Sequence, residues 1–146
     1  MTYFCDQSTL VLKGRQRGCY LITSEIEKKC YEALAKIRLG TCHLFLTHTS
    51  ASLSINENAD PDVRTDMSKI MTGLVPPKDD FAHNYEGSDD MPAHGLCSLM
   101  GVSVTIPIKD CRLQMGTWQG VYLNEHRHFG GDRKIIITIQ GIEKTM

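Results

Sequence analysis

The sequence predicts a single α+β domain with a largely antiparallel β-sheet and two to three helices. Strand patterns outnumber helical patterns, and successive strand patterns are joined by short turns. The 146 residues are enough to bury one hydrophobic core and too few for two independent cores. We therefore expect residues 1–146 to form one domain, and not a doubly wound parallel sheet.

Predicted strands begin near the N-terminus and recur along the chain. Residues 8–13 and 19–23 are rich in strand-forming residues, and the polar, glycine-flanked segment 14–18 between them predicts a β-hairpin. Further strand patterns occupy residues 41–48, 51–55, 102–108 and 135–139. The last contains four isoleucines without alternation, which predicts a strand covered on both faces. In so small a domain, one cover could be another subunit.

The first helix is predicted over residues 25–38. Ser24 and Glu27 have the form of a capping box, in which the two side chains satisfy backbone amides at the start of a helix. Apolar residues then recur at helical spacing, and Gly40 suits the left-handed conformation that ends many helices.

Two further helices are predicted in the middle of the chain. Asp60 and Pro61 are typical of a helix start, because aspartate caps free amides and proline fits the first turn. That helix should end before Pro76, and residues 78–90 are polar and acidic, as in a loop. A short helix is then expected over residues 92–100.

Composition excludes several classes of function. The formal net charge of -1 argues against a general affinity for nucleic acid or for acidic membranes. No apolar run approaches the roughly 18 residues of a membrane span, and the first residues lack the pattern of a signal peptide. We expect a cytosolic protein. The six cysteines are scattered without a Cys-x-x-Cys spacing, which argues against a disulfide framework or a cysteine-built zinc site.

Histidines beside polar loops are the first candidates for chemistry. His48 ends a predicted strand, where a histidine can serve as a metal ligand or an acid/base group, although a plain surface turn fits the same pattern. His83 and His94 flank an acidic loop, and imidazole and carboxylate together suit a divalent metal. Their spacing matches no zinc-finger rule, so a solvated loop remains an alternative.

The densest polar chemistry lies between Gly116 and Arg133, which we interpret as strand, turn and strand forming a hairpin. Its tip gathers Glu125, two histidines, Arg127 and Arg133. Guanidinium groups match phosphate oxygens, so this tip could bind phosphate, although a charged solvent-facing turn has the same composition. Trp118 could form the wall of a pocket or belong to the core.

Three segments of the chain resemble the YjbQ family. They are HTSASLSINENADPDVRTDM at 48–67, EG…AHGLCSLMG at 86–101 and GTWQGVYLNEHR at 116–127, followed by the closing GGDRKIIITIQG. The similarity runs from about residue 8 to the C-terminus. The resemblance implies a compact α+β subunit that assembles as a homotrimer with its sheets packed around the threefold axis. It also implies a weak, secondary thiamine-phosphate synthase activity.

The family's polar motif positions fall in three distant segments, which implies that one pocket gathers them. On this chain they are His48, Asn58, Asp60, His83, His94, Thr117, Gln119 and Glu125. The implied reaction joins a hydroxymethylpyrimidine pyrophosphate to a thiazole phosphate and releases pyrophosphate.

Each candidate residue has a predicted role in that reaction. His48, His83 and His94 would hold a divalent cation, zinc or magnesium. The predicted catalytic residues are His48, Asn58 and Glu125, and the predicted substrate-binding residues are Thr117, Trp118, Gln119, Arg127 and Arg133. Two alternatives stay open: a metal-dependent hydrolase of a phosphorylated small molecule, and a trimeric protein that binds a metal or an anion without catalysis.

Overall fold

Twelve elements and two antiparallel sheets make up the computed structural model, which describes residues 1–145. The strands are β1 (Tyr3–Leu12), β2 (Gln16–Leu21), β3 (Ile37–Leu46), β4 (Ala51–Glu57), β5 (Ser103–Lys109), β6 (Arg112–Leu113), β7 (Gln119–Phe129) and β8 (Arg133–Glu143). The helices are α1 (Thr23–Lys29), α2 (Tyr31–Leu34), α3 (Pro61–Leu74) and α4 (Asp90–Met100). This compact α+β domain confirms the predicted fold class.

The two sheets enclose the main hydrophobic core. The five-stranded sheet has the order β1-β8-β3-β5-β6, and the three-stranded sheet has the order β2-β7-β4. Core side chains come from both sheets and from α1 and α2, as Ile26, Leu34, Leu44, Leu123 and Ile137 illustrate. Helices α3 and α4 cover the other face of the three-stranded sheet, where a second cluster packs. Within residues 1–145, no helix covers the outer face of the five-stranded sheet, where Tyr3, Val11 and Phe45 are exposed.

The isoleucine-rich strand β8 shows why that outer face matters. Ile135, Ile137 and Ile139 point into the core and are buried, whereas Ile136 lies on the outer face and is only partly buried. Phe45, which is its partner on β3, is exposed. Within one chain only one face of β8 is therefore covered.

The predicted hairpin between the first two strands is wrong. β1 pairs with β8 in the five-stranded sheet, whereas β2 pairs with β7 in the three-stranded sheet. The segment from Gly116 to Arg133 is strand, turn and strand, but β7 and β8 also belong to different sheets. The β1–β2 loop and the β7–β8 loop each connect the two sheets, and they lie next to each other. The Gly14 amide of the first loop donates a 2.8 Å hydrogen bond to Asp132 Oδ1 of the second. Strands that are far apart in the sequence therefore pair, and neither of the two predicted hairpins forms.

The first predicted helix is shorter than expected and has a different cap. It divides into α1 and α2, and β3 begins at Ile37, because the chain there pairs with the end of β8. Ser24 does not cap it: α1 already includes Thr23, whose hydroxyl accepts a 2.9 Å hydrogen bond from the Val121 amide. The capping-box prediction is therefore wrong, and the predicted helical region is helical only as far as Leu34.

The other helices follow their capping signals more closely. Asp60 caps α3 by accepting a 2.9 Å hydrogen bond from the Asp62 amide, and Pro61 is the first helical residue, as predicted. Helix α4 starts at Asp90, two residues before the predicted boundary at 92, and this shift brings an acidic residue into the helix. None of the helices in the described part of the chain is long and apolar enough to cross a membrane.

Candidate metal centre

Three potential metal ligands converge at the start of α4. Asp90 and His94 lie one turn apart on the same face of the helix, because residues four apart are neighbours there. His83 reaches them from the preceding loop. Its Nε2 is 2.7 Å from Asp90 Oδ2, and His94 Nε2 is 3.3 Å from the same oxygen. One ligand atom from each residue lies within 4.8 Å of the others, so we name His83, Asp90 and His94 the candidate metal centre.

His94 is held in the orientation that a metal ligand needs. Its Nδ1 donates a 2.7 Å hydrogen bond to the Thr49 carbonyl, since a carbonyl oxygen can only accept. In the neutral ring Nε2 then carries the lone pair, and this is the nitrogen that faces Asp90. A backbone carbonyl behind the ring is the usual support for a metal-binding histidine.

An arginine fixes the Asp90 carboxylate. Arg127 Nη1 is 2.9 Å from Asp90 Oδ1, which leaves Oδ2 facing the two histidines. Burial opposes ionisation of Asp90, but hydrogen bonds with Glu86 and His83 and the charges of His94 and Arg127 lower its pKa overall. The carboxylate is therefore ionised near neutral pH, which is the form that binds cations.

Asp89 is a second carboxylate that pairs with Arg127. Its Oδ2 accepts hydrogen bonds of 2.9 Å both from Arg127 Nε and from the His128 amide. Burial raises the pKa of Asp89, but the hydrogen bonds from the His128 amide and Arg127, together with the charge of Arg127, lower it overall. The sequence predicted that Arg127 binds phosphate. In the structure Arg127 instead contacts Asp89, Asp90 and the Glu86 carbonyl, and it fixes one side of the candidate metal centre.

A second ionic group lies nearby and is closed to solvent. Arg133 makes two parallel hydrogen bonds to Glu125, of 2.8 Å and 2.6 Å, and a third of 2.9 Å to the Ser50 hydroxyl. Glu125 is only 1% exposed and Arg133 only 4%. We name Ser50, Glu125 and Arg133 the buried arginine group. Because these side chains satisfy one another, the predicted catalytic role of Glu125 and the predicted phosphate role of Arg133 have no support in this geometry.

His48 does not join the candidate metal centre. Its Nε2 accepts a 2.8 Å hydrogen bond from the Lys134 amide, so its other ring nitrogen carries the proton and has no lone pair to offer. Burial and the nearby charge of Arg133 lower the pKa of His48. Of the three histidines predicted to hold a metal, only His83 and His94 lie together, and Asp90 is the residue beside them.

The Gly-Thr-Trp-Gln segment lies at the opposite end of the three-stranded sheet. Asn58 holds it by donating hydrogen bonds of 3.1 Å and 3.0 Å to the carbonyls of Thr117 and Gln119. Gln119 begins β7, and Glu125 lies six residues further along the strand, so the two ends are separated by roughly 20 Å. Trp118 is 65% exposed and is not the wall of an enclosed pocket. Within one chain, therefore, the predicted single pocket is divided between two distant places.

Three residues of these two groups were given no role of their own in the sequence-based prediction: Ser50, Asp89 and Asp90. The signal for Asp90 was present, because Asp90 and His94 have the spacing of one helical turn. It was missed because the helix was predicted to begin at residue 92. No local pattern indicated that Asp89 would meet Arg127.

Comparison with known proteins identifies the family. The model of the UPF0047 protein YjbQ-like family matches residues 8–142. The chain belongs to the YjbQ family. The UPF0047 protein YjbQ of Salmonella typhimurium is 50% identical, over 92% of this chain and 97% of that protein. UPF0047 protein YugU of Bacillus subtilis is 36% identical, over 86% of this chain and 90% of that protein.

Solved structures of YjbQ relatives have the same fold. A YjbQ/UPF0047 protein of Clostridium acetobutylicum is 35% identical and superposes with a TM-score of 0.77, over 90% of this chain and 98% of its own. A YbjQ-like protein of unknown function from Sulfolobus solfataricus gives a TM-score of 0.85 over 96% of this chain and 99% of its own. At 21% identity, the second comparison bears on the fold alone.

Proposed function

We propose that this YjbQ protein is a divalent-metal enzyme that acts on a phosphorylated small molecule. The proposal rests on the candidate metal centre, where two imidazoles and one ionised carboxylate bring ligand atoms within 4.8 Å of one another. Three protein ligands are the number found in catalytic metal sites, which keep a further coordination position for water or substrate. The Thr49 carbonyl and Arg127 supply the supporting contacts such a site needs.

The donor set favours zinc over magnesium. Imidazole nitrogens are borderline-soft ligands that suit zinc, whereas magnesium prefers oxygen ligands in an octahedral shell. His83 and His94 offer two nitrogens, and Asp90 offers one oxygen. The same two-histidine, one-carboxylate combination also serves iron(II), so metal analysis is needed to choose among them.

The reaction implied by the family resemblance is thiamine-phosphate synthesis, and we propose it as the first candidate. A divalent cation would supply positive charge to the departing pyrophosphate. His83, Asp90 and His94 would hold that cation, while Arg127 keeps the Asp90 carboxylate turned toward the two rings. Excluding Arg127 and Arg133 from direct phosphate binding leaves the second, thiazole phosphate without an assigned partner at this site.

Metal-assisted hydrolysis of a phosphorylated small molecule is the second candidate, and one observation favours it. Both arginines predicted to bind phosphate already pair with carboxylates, Arg127 with Asp89 and Asp90, and Arg133 with Glu125. A synthase must hold two phosphorylated substrates together, whereas a hydrolase needs only one phosphoryl group at the cation. A protein that binds a metal or an anion without turnover is the third candidate.

The metal is expected to depend on Asp90 and His94 but not on His48. We expect protein purified without chelator or affinity nickel to contain near-stoichiometric metal, and Asp90→Asn and His94→Ala to lose it. His48→Ala should retain it and serves as the matched control. The measurement is elemental analysis of all four proteins. Loss of metal in His48→Ala with retention in Asp90→Asn would contradict the assignment.

Product analysis separates the candidate reactions. The metal-loaded protein would be incubated with a hydroxymethylpyrimidine pyrophosphate and a thiazole phosphate, together and separately. Thiamine phosphate with released pyrophosphate indicates the synthase, and orthophosphate from either substrate alone indicates the hydrolase. Asp90→Asn should abolish either activity. Binding of the substrates without any product would favour the non-catalytic protein.

We also propose that the outer face of the five-stranded sheet is the surface through which the chain forms a homotrimer, as the family resemblance implies. The support is that Val11, Phe45 and Tyr3 are exposed on β1 and β3, with the partly buried Ile136 among them. Burying such apolar side chains favours association. Light scattering should give three times the mass of one chain, and Phe45→Lys should lower that mass. A monomeric wild-type protein would contradict the proposal.

A further inference from the structure

A basic cleft lies between β2 and α3, on the helix-covered side of the three-stranded sheet and apart from the candidate metal centre. Its volume is about 470 Å³, within the range of small-molecule sites. Three cations and four hydroxyl groups line it, and no carboxylate of residues 1–145 does. They belong to Arg17, Arg64, Lys69, Tyr20, Thr65, Ser68 and Thr72. We name this the α3 cleft. Its composition is unexpected in a protein with a net charge of -1.

The cations of the α3 cleft have no partners in the described part of the chain. None of the ion pairs within residues 1–145 involves Arg17, Arg64 or Lys69, whereas Arg127 and Arg133 are both paired. The Nε of Arg64 is shielded from solvent and has no hydrogen-bond partner. A buried N–H donor without an acceptor is costly, so the hydrogen-bonding capacity of the Arg64 guanidinium is not fully used within residues 1–145.

The backbone places these groups on two facing walls. Thr65, Ser68, Lys69 and Thr72 recur three and four residues apart, which puts them on one face of α3. On the opposite wall, the pairing of β2 with β7 shifts register between Gln16 and Gly18, so Arg17 sits at an irregularity in the strand. Such irregularities redirect side chains and are common beside binding sites.

The positive charge of the cleft reaches the neighbouring interior. The pKa of buried His126 is lowered to about 4, by burial first and then by the charges of Arg17 and Arg133. The charge of Arg17 therefore acts on a buried group next to the cleft.

We propose that the α3 cleft binds the phosphate group of a phosphorylated small molecule. Guanidinium forks and hydroxyls are the donors that recognise phosphate oxygens, and two arginines with a lysine match a group that carries two or more negative charges. The site needs no metal, and it stands whether or not the candidate metal centre proves catalytic.

Calorimetric titration with inorganic pyrophosphate tests the site. We expect the full-length protein to bind it, and we expect Arg64→Gln and Arg17→Gln each to weaken binding about tenfold or more, because each removes a charged hydrogen-bond donor. Arg112→Gln is the matched control, since Arg112 is an exposed arginine on β6 at the edge of the other sheet. Using two cleft variants keeps the test decisive if one of them fails to fold.

Asp90→Asn distinguishes this site from the candidate metal centre. If pyrophosphate binds in the α3 cleft, wild-type protein that a chelator has freed of metal and Asp90→Asn should bind it alike. Binding that Asp90→Asn abolishes and Arg64→Gln leaves intact would locate the anion at the metal centre and overturn the proposal. Equal binding by the wild type and both cleft variants, or no binding by the wild type, would also overturn it.

Discussion

The candidate metal centre and the buried arginine group are built from similar parts but differ in access to solvent. In each, an arginine pairs with a carboxylate that is almost completely buried, Arg127 with Asp90 and Arg133 with Glu125. At the metal centre, half-buried histidines adjoin the free oxygen of Asp90. In the buried arginine group, both oxygens of Glu125 are bound by Arg133. A carboxylate can serve chemistry only when part of its hydrogen-bonding capacity is left for a ligand.

Removing Glu125 should have the largest effect on stability. We expect Glu125→Ala to lower the free energy of unfolding by about 3–5 kcal/mol, because Arg133 would remain buried without its partner. His94→Ala removes a half-buried ring at the metal centre and should cost clearly less. Urea denaturation of both variants measures the difference. Equal losses would show that the two groups do not differ in the way we describe.

The protein should become less stable as the pH is lowered, because His126 resists protonation in the folded chain. The pKa of this histidine is near 4 in the folded chain, against its usual 6.5. Between these values the unfolded chain takes up the proton and the folded chain does not, so the free energy of unfolding decreases as pH falls from 6.5 to 4. The full effect is about 3 kcal/mol.

A pair of variants isolates that contribution. His126→Gln can still hydrogen-bond to Ser52, whose hydroxyl is 2.9 Å from His126 Nε2, and should show a flatter dependence on pH. His128→Gln, two residues further along β7 and exposed, should keep the wild-type dependence. Denaturation curves across this pH range give the comparison. A His126→Gln profile parallel to that of the wild type would refute the assignment.

Gly130 packs directly against the Glu125 carboxylate of the buried arginine group, where there is no room for a side chain. Its replacement should have the smallest of these effects. A Cβ at Gly130 would collide with the Glu125 carboxylate, which Arg133 prevents from moving away. We expect Gly130→Ala to destabilise the protein by about 1–3 kcal/mol. Gly73→Ala is the control: no atom lies within 4 Å of the added carbon, and in α3 alanine should stabilise slightly. Thermal unfolding of both variants measures the two changes, and similar melting temperatures would contradict the expectation.

Local signals in the sequence predicted many of the elements. Asp60 and Pro61 indicated the start of α3, and the polar loop that carries His83 was recognised as a place where imidazole and carboxylate meet. These features depend on residues a few positions apart, so their spacing and hydrogen bonds can be predicted from the sequence. The helix start at Asp90 was missed by two residues, so the one-turn spacing between Asp90 and His94 was not recognised.

The sequence alone determined the fold class, the family and the histidines of the candidate metal centre. Only the tertiary structure decided that β1 pairs with β8 and not with β2, that Asp90 rather than His48 lies beside His83 and His94, and that Arg127 and Arg133 are already paired. The physical reason is distance along the chain. Strand pairing and ion pairing between remote segments follow from burying apolar side chains such as Ile137 in a shared core, and no local pattern records which segments will meet there.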